Sequence, residues 1–215
     1  MTEGWFWSTP EWAAYLEAYG KPHEEHYGPR GNLVVGLGDW RAMWSKVAKG
    51  HQADTNAAEK VMTARRTMGA ADFTMYERLH RVRATAPRPQ KTYDLMAASV
   101  NHGSARLYVV EDKRQVPDDL RAIFGAALFY VHEGGSYYAS IATANPKPRG
   151  TDHLLVWTAM NDLAAAGVKW LDMGAVGAYG SDFKKHFGAE VRCWPNYTYL
   201  SEEKREQAER KMEDS

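Results

Sequence analysis

Past residue 105 the chain changes period, and that change constrains its fold more than any other feature of the sequence. Arg106-Leu107-Tyr108-Val109-Val110 reads as a strand, and Ile123 to His132 as a longer apolar one. Glu133-Gly134-Gly135 then turns the chain into Tyr137-Tyr138-Ala139-Ser140-Ile141-Ala142. A Gly-Gly pair suits a tight hairpin turn because glycine takes positive φ without a steric penalty. After the loop Asn145 to Gly150, Thr151-Asp152 is expected to cap a helix running to Ala166. Leu154, Leu155, Ala159, Leu163 and Ala164 form its apolar side, and Gly167 stops it. Val168 to Met173 reads as a strand and Gly174 to Gly180 as a loop. Asp182 to Phe187 is a short helical turn, and Val191 to Leu200 a last strand.

The half before this switch is mostly helical. Ser8-Thr9-Pro10-Glu11-Trp12 has the form of a helix start, with Gly20 and Pro22 at its end. Leu33-Val34-Val35 predicts a short strand. Residues 40–68 predict a long helical stretch with Trp40, Met43, Trp44 and Val47 along one face and a break near Gly50. Phe73 to Ala84 predicts a helix that Pro87 and Pro89 close off, and residues 91–101 predict another. The expected organisation is an N-terminal aromatic embellishment over 1–40, one domain over 41–200, and a charged tail over 201–215. The fold class is α/β (α+β): a mixed, mostly antiparallel central sheet flanked by helices.

Composition narrows the function classes. Lys+Arg and Asp+Glu balance at 27 each, without the basic excess of a dedicated nucleic-acid binder, so general DNA binding is not expected. The one cysteine, Cys193, excludes an intramolecular disulfide and a cysteine metal cluster. Residues 1–10 lack the pattern of a signal peptide, and no stretch has the length of a membrane span. The expectation is a cytoplasmic protein. Eight tryptophans and twelve tyrosines read first as a packed interior with aromatic borders, and second as the lining of a pocket.

The strand-loop-helix order resembles the GNAT acyltransferase superfamily, in which two strands splay beside a helix N-terminus and the acyl donor lies in the gap. A more specific resemblance follows. Asp172-Met173-Gly174 at a strand end, then Phe183-Lys184-Lys185-His186-Phe187-Gly188, is similar to the signature of the FemAB aminoacyltransferases. There an Asp-x-Gly-like triplet precedes a Phe-Lys-x-x-Phe-Gly segment. The match spans roughly residues 40–200 and is strongest from Phe129 to Glu190. FemAB enzymes carry two GNAT-like domains, so this chain resembles a reduced, single-domain relative.

That resemblance implies roles. Lys184 would stabilise the oxyanion formed when an amine attacks an ester or thioester, a contribution of a few kcal/mol in a dry site. Asp172 would receive or orient the amine proton, or else simply cap the next loop. Tyr179 stands where some GNAT enzymes place the residue that protonates the leaving group. Lys147, Arg149, Gly150, Thr151 and Phe183 would face the donor. Lys49, His51, Tyr138 and Lys185 would face the acceptor, and Lys46, Lys49, Arg149 and Lys185 are candidates for a phosphorylated acceptor or the acceptor end of a tRNA. His51, His153 and His186 are scattered along the chain and show no metal-ligand spacing, so no metal is expected.

Coenzyme A-dependent GNAT enzymes carry a loop with two glycines for the pyrophosphate. Lys147-Pro148-Arg149-Gly150-Thr151-Asp152 keeps one of them and places an acid at the other. This favours aminoacyl-tRNA over acetyl-CoA as donor, with no tightly bound cofactor. The acceptor would be a peptidoglycan precursor, a peptide or another small amine. Three alternatives stay open: an acetyl-CoA-dependent N-acetyltransferase, a non-catalytic binding module of the same fold, and an enzyme that acylates a nucleobase. The sequence does not fix the oligomeric state.

Overall fold

The computed structural model describes residues 21–22, 31–84, 86–113, 122–132, 134–176, 180–193 and 197–198. In chain order the elements are β1 (Lys21–Pro22), β2 (Gly31–Gly36), α1 (Trp40–Lys46), α2 (Lys49–Val61), β3 (Met62–Thr67), α3 (Ala70–Arg83) and α4 (Gln90–Asn101). Then come β4 (Ala105–Asp112), β5 (Ile123–His132), β6 (Gly135–Thr143), α5 (Thr151–Ala165), β7 (Trp170–Ala175), α6 (Ser181–Lys185), β8 (Glu190–Cys193) and β9 (Tyr197–Thr198). The helix expected from Ser8 to Gly20 lies outside the described residues. Contacts divide the chain into one unit of residues 1–31 with 192–215 and a second over 32–191. In the first unit, β1 and β9 form an antiparallel pair, Lys21 opposite Thr198.

The second unit is organised by a seven-stranded sheet in the order β3-β4-β5-β6-β7-β2-β8. Pairing is antiparallel between β3 and β4, β4 and β5, β5 and β6, and β2 and β7, whereas β6 and β7 run parallel. A parallel pair needs a long crossover, and α5 supplies it. The expected mixed, mostly antiparallel sheet with flanking helices is therefore the architecture.

Helices cover both faces, which explains why β5 is apolar along most of its length instead of alternating. On the first face α1, α2 and α5 bury Met43, Val47, Ala58, Leu155 and Met160 against Tyr108, Val110, Ala127 and Phe129. On the second, α3 and α4 bury Phe73, Tyr76, Tyr93 and Met96 against Leu107, Val109, Ala126 and Leu128. Successive residues of β4 and β5 thus feed opposite cores.

Three element boundaries differ from the sequence reading. The last strand, expected over Val191 to Leu200, is described as two: β8 joins the seven-stranded sheet, whereas β9 pairs with β1. Residues 62–67 are an edge strand, not the end of a helix. Met-Thr-Ala-Arg-Arg-Thr has no apolar stripe because an edge strand buries only its ends, Met62 and Thr67. The cap of α5 is also not Thr151-Asp152. Gly150 occupies that position at φ +82° without a side-chain cap bond, and Thr151 Oγ1 instead donates to the Pro148 carbonyl at 2.7 Å. A Cβ on Gly150 would stand 2.3 Å from the Asp54 carbonyl oxygen. Glycine is required there both for the left-handed turn and for the approach of α2.

Candidate active site

A one-residue irregularity opens the sheet. β5 pairs Leu128 with Ser140 but Phe129 with Tyr138, so Ala139 is an extra residue in β6. Such a bulge bends its strand and re-aims neighbouring side chains. β6 and β7 pair only through Gly135–Trp170, Ser136–Leu171 and Tyr137–Asp172. From Tyr138 and Met173 onward the two parallel strands are no longer paired, and a gap begins.

Asp172 is the last β7 residue paired to β6. Leu171 and Met173 on either side belong to the first-face core, so by strand alternation Asp172 faces the second. It is 6% exposed. Asn32 Nδ2 donates to its Oδ2 at 2.7 Å and the Gly174 N–H to its Oδ1 at 2.7 Å. Burial pushes its pKa up, while those two hydrogen bonds and the nearby Lys184 charge pull it down. Each oxygen keeps acceptor capacity beyond its one bond.

Lys184 enters from α6, whose neighbouring aromatics Phe183 and Phe187 pack on the first-face core. Its Nζ lies 5.4 Å from the centre of the Tyr138 ring, and a Cβ built on Gly174 would stand 3.5 Å from it. Burial lowers its pKa and Asp172 raises it. Half-buried, it makes no hydrogen bond and no ion pair among the described residues. Tyr138 itself is buried against Phe129, ring centres 5.1 Å apart. It forms the aromatic floor beneath the ammonium, and burial pushes its own pKa far upward. An ammonium and a carboxylate thus stand near one another at the gap, each acting on the other's charge.

A second group of predicted residues surrounds the start of α5. Lys147 is paired with Asp152 and donates to Thr143 Oγ1 at 3.0 Å. Arg149 Nε donates to Asp54 Oδ1 at 2.7 Å. The other Asp152 oxygen, Oδ1, is buried with no hydrogen-bond partner among the described residues. Two carboxylates thus occupy the positive end of the helix dipole. Lys49 and Lys185 are exposed, the latter 3.5 Å from Asp182. Tyr179 lies outside the described residues.

The histidines that are scattered in sequence converge in space, a cluster that their spacing does not record. His51 packs edge-on to His153 at 4.3 Å and to His186 at 4.9 Å, and also contacts Phe183 and Phe187. Its Nε2 lies 3.1 Å from the Phe183 carbonyl, which can only accept, so that nitrogen carries the proton. The His51 contact thus fixes the backbone one residue before Lys184. Burial holds His153 neutral, with its pKa lowered to about 4. Among the described residues no group of three His, Cys, Asp or Glu is arranged to hold a metal ion.

Asn32 had no signal in the sequence. It is 140 residues from Asp172, and only the insertion of β2 beside β7 brings it to the site.

The comparisons with known proteins agree with this fold. The family described as acetyltransferase (GNAT) domain matches residues 41–185, and the chain belongs to that family of acyltransferases. More particularly, its fold is like that of FemX: the TM-score is 0.69 at 14% identity, covering 91% of this chain and 70% of that one. It is also similar to the C-terminal domain of a protein described as a lysylphosphatidylglycerol synthetase from Agrobacterium fabrum. There the TM-score is 0.58 at 13% identity, over 94% of this chain and 68% of that one. For L-PGS from Bacillus licheniformis the TM-score is 0.53 at 14% identity, with coverages of 84% and 68%. No curated protein matches the sequence. Among the described residues, no helix is long and apolar enough to cross a membrane.

Proposed function

We propose that this acyltransferase moves an aminoacyl group from an activated ester, aminoacyl-tRNA, onto an amine carried by a peptide or a peptidoglycan precursor. The observation that carries the reading is the Lys184 ammonium, half-buried over the Tyr138 ring at the mouth of the β6/β7 gap, with no hydrogen bond and no ion pair among the described residues. An unpaired ammonium in that position is poised for a charge that exists only in the transition state.

In this reading the amine approaches from the Asp172 side. Its nitrogen forms a bond to the ester carbonyl carbon, and the oxyanion develops beside Lys184 Nζ. Asp172 takes the proton that the attacking nitrogen loses, since its burial-raised pKa makes it a better base than an exposed carboxylate. Collapse of the intermediate breaks the C–O bond to the tRNA ribose, and the departing oxygen takes up a proton. Asn32 and the Gly174 N–H hold the Asp172 carboxylate in place throughout.

Donor choice rests on the start of α5. A CoA pyrophosphate needs free amides and uncompensated cations there. Asp54 and Asp152 already sit on Arg149 and Lys147, and their charge opposes a second anion. The competing reading, N-acetylation from acetyl-CoA, is favoured by the family match over 41–185 and by the αL glycine at that helix start. Thermal shift with acetyl-CoA and filter retention of charged tRNA separate the two. Retention of charged tRNA without a CoA shift supports aminoacyl transfer; a CoA shift of several degrees without retention overturns it in favour of acetylation.

A further inference from the structure

On the second face of the sheet, α3, the segment before α4 and β6 enclose a cation of a different kind. Arg88 is half-buried. Its Nη1 donates to His80 Nε2 at 2.7 Å and lies 3.4 Å from Tyr76 Oη. Tyr76 in turn is hydrogen-bonded to Ser140 of β6. Because a guanidinium can only donate, His80 Nε2 must be the unprotonated nitrogen. Nδ1 then carries the proton and donates to Tyr93 Oη at 2.8 Å.

His80 is held neutral, its pKa lowered to about 4 by burial first and then by Arg88 and Arg81. Both partners of Arg88 are thus uncharged. Among the described residues no carboxylate pairs with it, and its Nε and Nη2 donors remain unused. The neighbouring Arg81, by contrast, is neutralised by Glu77 at 2.8 Å. An arginine positioned by neutral groups keeps its charge and its fork of donors for something else.

What lies next to it identifies the purpose. Burial dominates the upward pKa shift of Tyr137, but two charges also act on that phenol: Asp172 raises its pKa and Arg88 lowers it. Tyr137 is the register partner of both Tyr130 on β5 and Asp172 on β7. Arg88 acts on Tyr130 as well. Geometry agrees: through Tyr76 and Ser140 the cation lies against β6 on the second face, just past the bulge and three residues along from Tyr137, the register partner of Asp172.

We propose that Arg88 is the recognition site for an anionic group, a carboxylate or a phosphate, on the same molecule that presents its amine to Asp172. The acceptor is then an amine bearing an oxyanion, and Tyr76, His80 and Ser140 position the arginine that selects it. This inference rests on the proposal that Asp172 faces the amine acceptor.

The test compares three amines: 4-aminobutyrate for a carboxylate, phosphoethanolamine for a phosphate, and ethanolamine as the control that carries no anion. Binding is read by ligand-observed NMR at constant ionic strength, independently of turnover, for wild type, Arg88→Gln and Arg88→Lys. The expected result is ~10- to 100-fold tighter binding of one or both anionic amines than of ethanolamine. Arg88→Gln is expected to abolish that preference and Arg88→Lys to retain part of it, and whichever anion binds tighter names the source. Equal affinity for all three amines, or a preference that survives Arg88→Gln, overturns the inference. Transfer from charged tRNA is measured on the same amines. Anion-selective binding without transfer leaves this site standing and removes the donor reading; transfer without selectivity does the reverse. Arg88→Lys also guards against a folding defect, since it keeps the charge where Arg88→Gln removes it.

Discussion

Two neighbouring parts of this domain, the start of α5 and the β6/β7 gap, treat their cations in opposite ways. At the start of α5, Lys147 and Arg149 are paired with Asp152 and Asp54. Lys184 at the gap and Arg88 on the second face are half-buried, and among the described residues no carboxylate is ion-paired with either. Pairing a surface cation is cheap and contributes little, about 0–1 kcal/mol; Arg149, 80% exposed by its side chain, is of that kind. Half-burying a cation with no partner carries a desolvation cost that folding must absorb. The second arrangement is favoured where a substrate or transition state supplies the missing charge, and the chemistry proposed for the gap rests on that contrast.

The largest expected effect breaks that contrast at its centre. Lys184→Ala is expected to lower kcat for acyl transfer by ~10²–10³-fold, as loss of an oxyanion donor does elsewhere, with KM little changed. Steady-state kinetics at saturating acceptor checks this. Removing Asp172 tests the other side of the gap. Asp172→Asn is expected to cost ~10²-fold in rate and to flatten the acidic limb of the pH profile, because the titrating base is gone.

The helix start should answer in stability, not in rate. Gly150→Ala forces a Cβ into a φ of +82° and against the Asp54 carbonyl, a loss of about 3 kcal/mol. Denaturant unfolding reads it as a lower midpoint at constant slope.

A smaller effect concerns His51, which reaches Lys184 only through the Phe183 carbonyl. His51→Ala is expected to reduce kcat by ~10-fold with KM unchanged, and His51→Asn, which restores a donor, to recover part of it. The smallest is a pH effect. His153 and His80 have native pKa values lowered to about 4 from an ordinary 6.5. Between those values the unfolded chain binds protons that the native one does not, so stability falls as pH drops from 6.5 toward 4. Melting curves across that range are expected to fall less steeply for His153→Gln than for wild type.

How much of this was legible in the sequence depended on whether the signal was local. Ile123 to His132 reads directly as β5, because a strand buried on both faces is continuously apolar. Asp172 and Lys184 are marked by short motifs with fixed spacing, and the gap brings the two together. The edge strand Met62–Thr67 was hidden, since an edge needs no apolar stripe. Asn32, the histidine cluster and the Arg88 site were hidden for a different reason: each joins residues from distant elements, and no spacing records a contact that only the strand order creates. The bulge at Ala139, which opens the gap, likewise leaves no mark in Tyr-Tyr-Ala-Ser.

The most direct test of the central claim joins rate and stability in one variant, Lys184→Met, which removes the charge and keeps the length. Single-turnover transfer from charged tRNA and thermal melting are measured on the same preparation. The rate is expected to fall ~10²–10³-fold in a protein that melts no lower than wild type, because a half-buried charge with no ion pair among the described residues has gone. An unchanged rate, or a lost rate accompanied by a markedly lower melting temperature, would contradict it, since Lys184 would then be part of the scaffold.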